Sequence, residues 1–299
     1  MAAAFIGPGT ITMCSIAGAQ FKYGLIWALI VSILLTMFIQ LTAIRIGLTT
    51  KNTLSNLIKD QFQSGLLKYT SISLIISAIF IGNSAYEAGN ISGAVMGFEL
   101  LFGKSFQFNQ INIFSILSGI LALPLIIFGN NKVLEKILII LVLIMSFSFV
   151  FTVFIVGIDF NLLLSSSDLF SFSSESILTI AGLIGTTVVP YNIFLHVALV
   201  NNRWKSTKEL RFANFDTIVS ISIGGLISLC ILLTAAGLNN SDILNAVDLA
   251  YSLQPLYGDF SKYIVAIGLI SAGLTSSITA PIAAAYVVCG CFGFSINRK

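Results

Sequence analysis

The sequence predicts an all-α polytopic membrane protein, and three observations predict it. Hydrophobic residues make up 57% of the chain and charged residues only 9%, whereas soluble domains carry roughly 25% charged residues. The mean hydropathy is +0.99. Apolar runs recur along the whole length, most of them near or above the ~20 residues that carry a helix across a bilayer. Most basic residues fall in or beside the polar gaps between those runs, so the formal charge of +3 reflects loop chemistry and gives no sign of a nucleic-acid partner. The partner that composition implies is the lipid bilayer.

The elements follow from the apolar runs in order. A short helical piece is expected over about 11–20, directly after Gly7-Pro8-Gly9-Thr10. Spans follow at about 23–48, 69–102, 110–129 and 133–157. A broken span covers about 177–201 with Pro190 in its middle, and two more run over about 215–238 and 260–293. The stretch 51–66 reads as a polar connector, and 159–176 as a Ser-rich, acidic one. With the loop after the second span placed in the cytoplasm, only Lys22, Lys104 and Lys262 of the 15 basic residues fall outside. That asymmetry follows the positive-inside rule and predicts a cell-membrane protein with cytoplasmic loops after its even-numbered spans. Cys14, Cys230, Cys289 and Cys291 lie in or beside apolar stretches without metal-finger spacing, and read as small packing residues.

Two interruptions say most about function: Gly7-Pro8-Gly9-Thr10 and Val189-Pro190-Tyr191-Asn192. Proline lacks an N–H and clashes with the preceding turn, so each frees backbone polar groups at membrane depth. Hydrocarbon cannot satisfy them, and unwound backbone is tolerated there only when buried in protein or lining a cavity. Interrupted hydrophobic segments in matching places of two halves point to a transporter's substrate site. The chain ends fit that picture poorly. Only Met1 to Ile6 precede the first break, about 9 Å of helix, and the sequence stops soon after the eighth span at Asn297-Arg298-Lys299. A two-fold repeat with five spans before the second break needs more helices behind it. The expectation is a single transmembrane transport domain over 1–299, clipped at both ends. It would start near the midpoint of its first broken helix and lack the later spans. A short protein that completes its core by dimerising is the alternative, and the sequence leaves the oligomeric state open.

Other polar residues stand out within the spans. Glu87 is the one acidic residue in the middle of a span, and an intramembrane carboxylate is costly enough to be a functional-site candidate by default. A hydrogen-bonded structural glutamate is the other reading. It stands in Asn83-Ser84-Ala85-Tyr86-Glu87-Ala88-Gly89-Asn90, a run of small and polar residues suited to close packing. His196, the single histidine, lies one turn past Asn192 on the same helix face. It is either a packing residue that donates across helices or a member of a proton pathway. Thr275, Ser276, Ser277 and Thr279 either supply cation-binding hydroxyls or act as interhelical glue. No nucleophile–base pair or metal-hydrolase motif is present, so enzymatic activity is not expected.

Gly7-Pro8-Gly9-Thr10 through Ala17-Gly18-Ala19-Gln20-Phe21-Lys22-Tyr23-Gly24 resembles the first broken helix of the NRAMP divalent-metal transporters, where the break reads Asp-Pro-Gly-Asn. Val189-Pro190-Tyr191-Asn192-Ile193-Phe194-Leu195-His196 resembles that family's second break, Met-Pro-His-Asn followed by Leu-Tyr-Leu-His. Arg45-Ile46-Gly47-Leu48-Thr49-Thr50, Phe212-Ala213-Asn214-Phe215-Asp216-Thr217 and Ser276-Ser277-Ile278-Thr279 are weaker echoes. The resemblance implies a LeuT-type inverted-repeat transporter fold with discontinuous first and sixth helices, incomplete here. It also implies a secondary active transporter of a divalent metal cation, coupled to protons and without a resident cofactor. The substrate positions it marks are Gly7, Thr10, Val189, Tyr191 and Asn192, with Thr10 and Asn192 touching the metal and Glu87 and His196 on the proton pathway.

The departures narrow the chemistry. In the family, the aspartate and asparagine of the first break and the methionine of the second coordinate the ion. Here those positions hold Gly7, Thr10 and Val189, and the second-break histidine is Tyr191. The third helix of the family carries an aspartate and a glutamate three apart; Glu87 matches the glutamate and Ser84 stands at the aspartate. Oxygen donors are what is left, and they suit a hard, partly hydrated cation such as Mg²⁺ better than one selected by sulfur. Two alternatives stay open. One is a transporter of Mg²⁺ or a small organic solute on the same scaffold, and the other a non-transporting, receptor-like relative.

Overall fold

A computed structural model describes residues 5–61, 65–103, 107–108, 111–128, 131–158, 173–238 and 243–294. In chain order the helices are α1 (Pro8–Phe21), α2 (Ile26–Thr50), α3 (Leu54–Gln61), α4 (Leu66–Phe102) and α5 (Ile113–Phe128). They continue as α6 (Asn131–Val156), α7 (Ser174–Thr187), α8 (Pro190–Arg203), α9 (Leu210–Gly237), α10 (Ala246–Tyr257) and α11 (Phe260–Phe292). A two-residue antiparallel pair, Gln107–Phe108 with Ile111–Asn112, joins α4 to α5. Among the described residues, six helical segments are long and apolar enough to cross a membrane, with α7 and α8 together forming one of them.

Pro8 and Pro190 each stand at the first position of a new helix. There the missing N–H costs nothing, because that donor has no intrahelical acceptor anyway. Both prolines therefore begin a helix after a break instead of bending one in its middle. The break before α8 is short: Val188 leaves the helix, Val189 is extended, and Pro190 resumes the helix.

The largest core cluster runs across the bundle. Ile6, Ile11, Leu29, Leu183, Ile231, Leu232 and Leu269 pack together from the first break, α1, α2, α7, α9 and α11. A second cluster joins Ile79 of α4 and Val189 and Tyr191 of the second break to Ala280, Ala283 and Val287 of α11. The outer surface is apolar: Phe38, Phe80, Phe147 and Phe154 are all at least 70% exposed, which suits lipid contact. Between helices in lipid there is no hydrophobic drive, so close contact between small residues does the holding. The most extensive helix pair, α4 with α11, shows it. A Cβ on Gly273 would stand 2.7 Å from the Asn90 carbonyl oxygen and from Ala94 Cβ. Gly93 meets α1 in the same way, with the Pro8 ring occupying the place a side chain would need. At the other end of α1, Lys22 Nζ donates to the Leu238 carbonyl at 2.6 Å and closes α1 onto the end of α9. Burial there holds its ammonium below the ordinary lysine range.

The expected spans match these helices closely, and two segments differ. The polar connector 51–66 contains α3, a two-turn amphipathic helix with only Ser55 fully buried. The stretch between the last two spans holds α10, started by a capping box in which Asn245 and Asp248 satisfy each other's backbone N–H groups. Residues 159–172 of the Ser-rich connector, with Lys104, Arg298 and Lys299 of the charge asymmetry, lie outside the described residues.

Gly93→Ala should lower the thermal midpoint measured by fluorimetry, by an amount corresponding to roughly 1–3 kcal/mol of overpacking. Gly89→Ala, with nothing within 4 Å of the added methyl, should not lower it, since alanine favours the helix over glycine.

Candidate functional site

The site begins with the carbonyls that the second break orphans. A helix leaves its last four C=O groups without intrahelical donors, and α7 ends at Thr187 in the middle of the bundle. The Ile184 carbonyl accepts from Val188 N–H at 2.8 Å. Tyr86 of α4 donates its hydroxyl to the Gly185 carbonyl at 2.8 Å. Thr10 of α1 donates to the Thr186 carbonyl at 3.4 Å. The Thr187 side chain bonds to the Leu183 carbonyl and to Ser32 of α2. Through Thr10 and Thr186 the first break is tied to the end of the helix that precedes the second. The donors to the Gly185 and Thr186 carbonyls are thus side chains from α4 and α1.

The first break faces α4 and α11. A Cβ on Gly7 would lie 3.2 Å from Ser276 Oγ and 3.6 Å from Asn90 Oδ1. Gly7 has φ −109° and ψ 173°, a conformation any residue can adopt, so the backbone does not demand glycine here. Asn90 Nδ2 donates to Glu87 Oε2 at 3.3 Å, which turns the amide oxygen away from the carboxylate. Ser277 is close enough to the Glu87 carboxylate to interact with it, without ordinary hydrogen-bond geometry. Asn83 donates to the Ala280 carbonyl at 2.7 Å and fixes α4 against α11 just before Pro281.

The predicted residues divide into two groups. Gly7, Thr10 and Glu87 are connected through Thr186, Asn90 and Ser276. Val189, Tyr191 and Asn192 are buried at the start of α8, with the Tyr191 ring edge-on to Tyr86 at 5.6 Å. His196 stands apart: its Nδ1 lies 2.6 Å from Gln40 Oε1 of α2 and its Nε2 3.2 Å from Thr217 Oγ1 of α9. It cross-links three helices one turn past the break. Sequence reasoning missed Tyr86, Asn90, Thr186 and Gln40 as partners. Polarity within an apolar run was the available signal for each.

The Nramp family, described as "Natural resistance-associated macrophage protein-like", matches residues 1–299. The chain belongs to this family. Among relatives, the "Divalent metal cation transporter MntH" of Yersinia pestis (strain Pestoides F) is 28% identical over 99% of this chain and 72% of its own length. The protein of the same name from Granulibacter bethesdensis is 24% identical over 96% of this chain and 65% of its own length. Two solved structures of the Eremococcus coleocola manganese transporter, one with an aromatic bis-isothiourea substituted compound and one of a mutant, superpose with TM-scores of 0.77 and 0.80. Each is 18% identical, and each alignment covers 99% of this chain and 65% of the transporter. The chain thus spans about two thirds of the length of these Nramp proteins. Its fold is theirs, the LeuT-type arrangement with a discontinuous first helix at Gly7 and a discontinuous sixth helix formed by α7 and α8.

The His196 cross-link gives this Nramp chain a stability test. His196→Leu leaves Gln40 and Thr217 facing an apolar group and should cost about 1–3 kcal/mol, read as a lowered thermal midpoint. Adding Gln40→Leu should recover part of that loss, because one of the stranded polar groups is removed.

Proposed function

We propose that this chain forms most of a cell-membrane transport domain for a divalent cation, with a preference for hard, partly hydrated ions such as Mg²⁺. The observation that carries the reading is the pair of broken helices tied together at Thr10 and Thr186, in a family whose curated relatives are divalent metal cation transporters. Unwound backbone at that depth is the usual setting of a transporter's ion site. The negative end of α7 points into the break, which favours a cation.

The donors set the preference. Thr10 and Asn192 supply neutral oxygens, and the Thr10 hydroxyl keeps its lone pairs while its proton goes to the Thr186 carbonyl. Val189 brings no sulfur, and Tyr191 brings a phenol where an imidazole would be the softer ligand. Mg²⁺ gives up its water reluctantly, so neutral oxygens that accept a hydrated ion suit it. Glu87 supplies the negative charge and, in the proton-coupled form of this reading, exchanges a proton as the cation passes. Loops after even-numbered spans face the cytoplasm, consistent with the distribution of basic residues. His196 belongs to the proton route only if its bonds to Gln40 and Thr217 exchange during transport.

Uptake into proteoliposomes tests this directly. Mg²⁺ should enter at least as fast as Mn²⁺, and Glu87→Gln should abolish the accompanying proton flux. Absence of flux for every divalent ion would reject the reading and leave the small organic solute. The pair Gly7→Asp and Val189→Met, which restores a carboxylate and a thioether, should shift preference toward Mn²⁺ by roughly tenfold or more.

A further inference from the structure

We infer that the end of the bundle where α2, α3, α8 and α11 meet holds the phosphate head group of an anionic phospholipid. Lys51 and Lys205 supply the charge, and the side-chain amides of Asn52 and Asn202 supply further donors. The inference goes beyond the cation reading and does not rest on it, since it needs only a bilayer around the chain.

Space is the first support. An open cavity of about 320 Å³ is lined by Lys51, Asn52, Thr53, Asn201, Asn202 and Tyr286, among others. A second, of about 220 Å³, is lined by Leu48, Lys51, Asn201, Trp204 and Lys205. The two share Lys51 and Asn201 and so adjoin. Together they reach the size of a small-ligand site. Their walls are fixed by the fold. Lys51 caps α2 in the left-handed conformation and turns the chain, and Asn201 Nδ2 then donates to the Asn52 carbonyl at 2.9 Å. Gly290 of α11 leaves room for the Ser55 side chain of α3.

Charge is the second. No carboxylate among the described residues lines either cavity. Lys51 has no hydrogen bond or ion pair among the described residues. Lys205 Nζ donates to the Asn201 carbonyl at 3.1 Å, which uses one of its three hydrogens. Acids in the neighbouring turns are engaged elsewhere. Glu209 accepts from the Lys205 and Ser206 N–H groups, and Asp216 pairs with Arg203 at 3.8 Å. Asn202 gives one amide hydrogen to the Tyr286 hydroxyl at 3.3 Å and keeps the other. The groove is therefore rich in donors and positive, as basic pockets between membrane helices that hold anionic lipid head groups are.

Position favours a lipid over a free phosphate. Lys51 directly follows α2 and Lys205 lies just past α8, where lysine stems run along the apolar surface and the ammonium reaches the interface. Trp204 and Tyr286 are residues of the kind that gather at that level. Phe294, which lines the larger cavity, is 66% exposed and stacks on Phe292 at 5.9 Å. That apolar border suits an acyl chain.

Native mass spectrometry of the chain in neutral detergent tests the site, with phosphatidylglycerol, phosphatidylcholine and inorganic phosphate as probes. Phosphatidylglycerol should bind roughly tenfold or more tighter than phosphatidylcholine. Lys51→Gln with Lys205→Gln should weaken its binding by roughly 30-fold, about fivefold for each lysine lost near the surface. Arginine at both positions keeps the charge and should retain the lipid. Lys68→Gln with Lys136→Gln removes as many charges outside the groove and should leave the affinity unchanged. Equal loss in the two glutamine pairs, or equal binding of the two lipids, would overturn the site. Inorganic phosphate that displaces the lipid at similar concentration would assign the groove to a soluble anion and overturn the lipid.

Discussion

A backbone carbonyl at membrane depth has no water to turn to, and the arrangement around both breaks follows from that. The end of α7 is a set of carbonyls that need donors, and the donors come from far along the chain: Thr10 is 176 residues from Thr186, and Tyr86 is 99 from Gly185. Each such bond fixes a helix position as well as a hydrogen bond. Thr10 sets α1 against the end of α7, and Tyr86 sets α4 against the same end. Thr10, which looks like a substrate ligand in the sequence, is thus first of all a cap. A hydroxyl has one proton and two lone pairs, so the same group can cap a carbonyl and face an ion.

The same scarcity of water explains why small residues line the central helices. Lipid is as apolar as leucine, and helices gain nothing by exchanging one for the other. They gain by approaching closely enough for dispersion and interhelical bonds. Gly93 under Pro8 and Gly273 against Asn90 and Ala94 make that approach possible. Close packing of α4 on α11 also puts Asn83 within reach of the Ala280 carbonyl and brings Asn90 and Ser276 to the same side of Gly7. Packing and polar placement are therefore one device in this bundle.

Much of this was legible in the sequence because its signals are local. Apolar length marked α2, α4, α6, α9 and α11, and proline after an apolar run marked both breaks. The Asn245–Asp248 capping box was a readable helix start that span-finding passed over, since it opens a helix of only 12 residues. α3 escaped for a related reason: its eight residues are polar on average, and amphipathic periodicity over two turns is a faint signal. What could not be read is who answers whom. Nothing near Asn90 in the sequence indicates Gly7, and nothing near His196 indicates Gln40 and Thr217. Those pairings exist only once the close-packed helices have set the distances.

On the transport reading proposed above, charge placement is what remains to be reconciled with a divalent ion. With glycine at position 7, the breaks themselves offer neutral oxygens only, and several of these already serve backbone groups. A bare divalent ion in such a place would need a carboxylate in direct contact, because the cost of stripping its water is far larger than neutral dipoles return. An ion that keeps part of its shell needs less. Its outer waters can donate to hydroxyl, amide and carboxylate oxygens, and a charge one residue further away still acts strongly where the effective dielectric is well below that of water. Glu87, one hydrogen bond behind Asn90 on the helix packed against α11, stands in that position. On the transport reading proposed above, glycine in the broken helix and the Glu87 carboxylate on its straight neighbour then belong to one site chemistry.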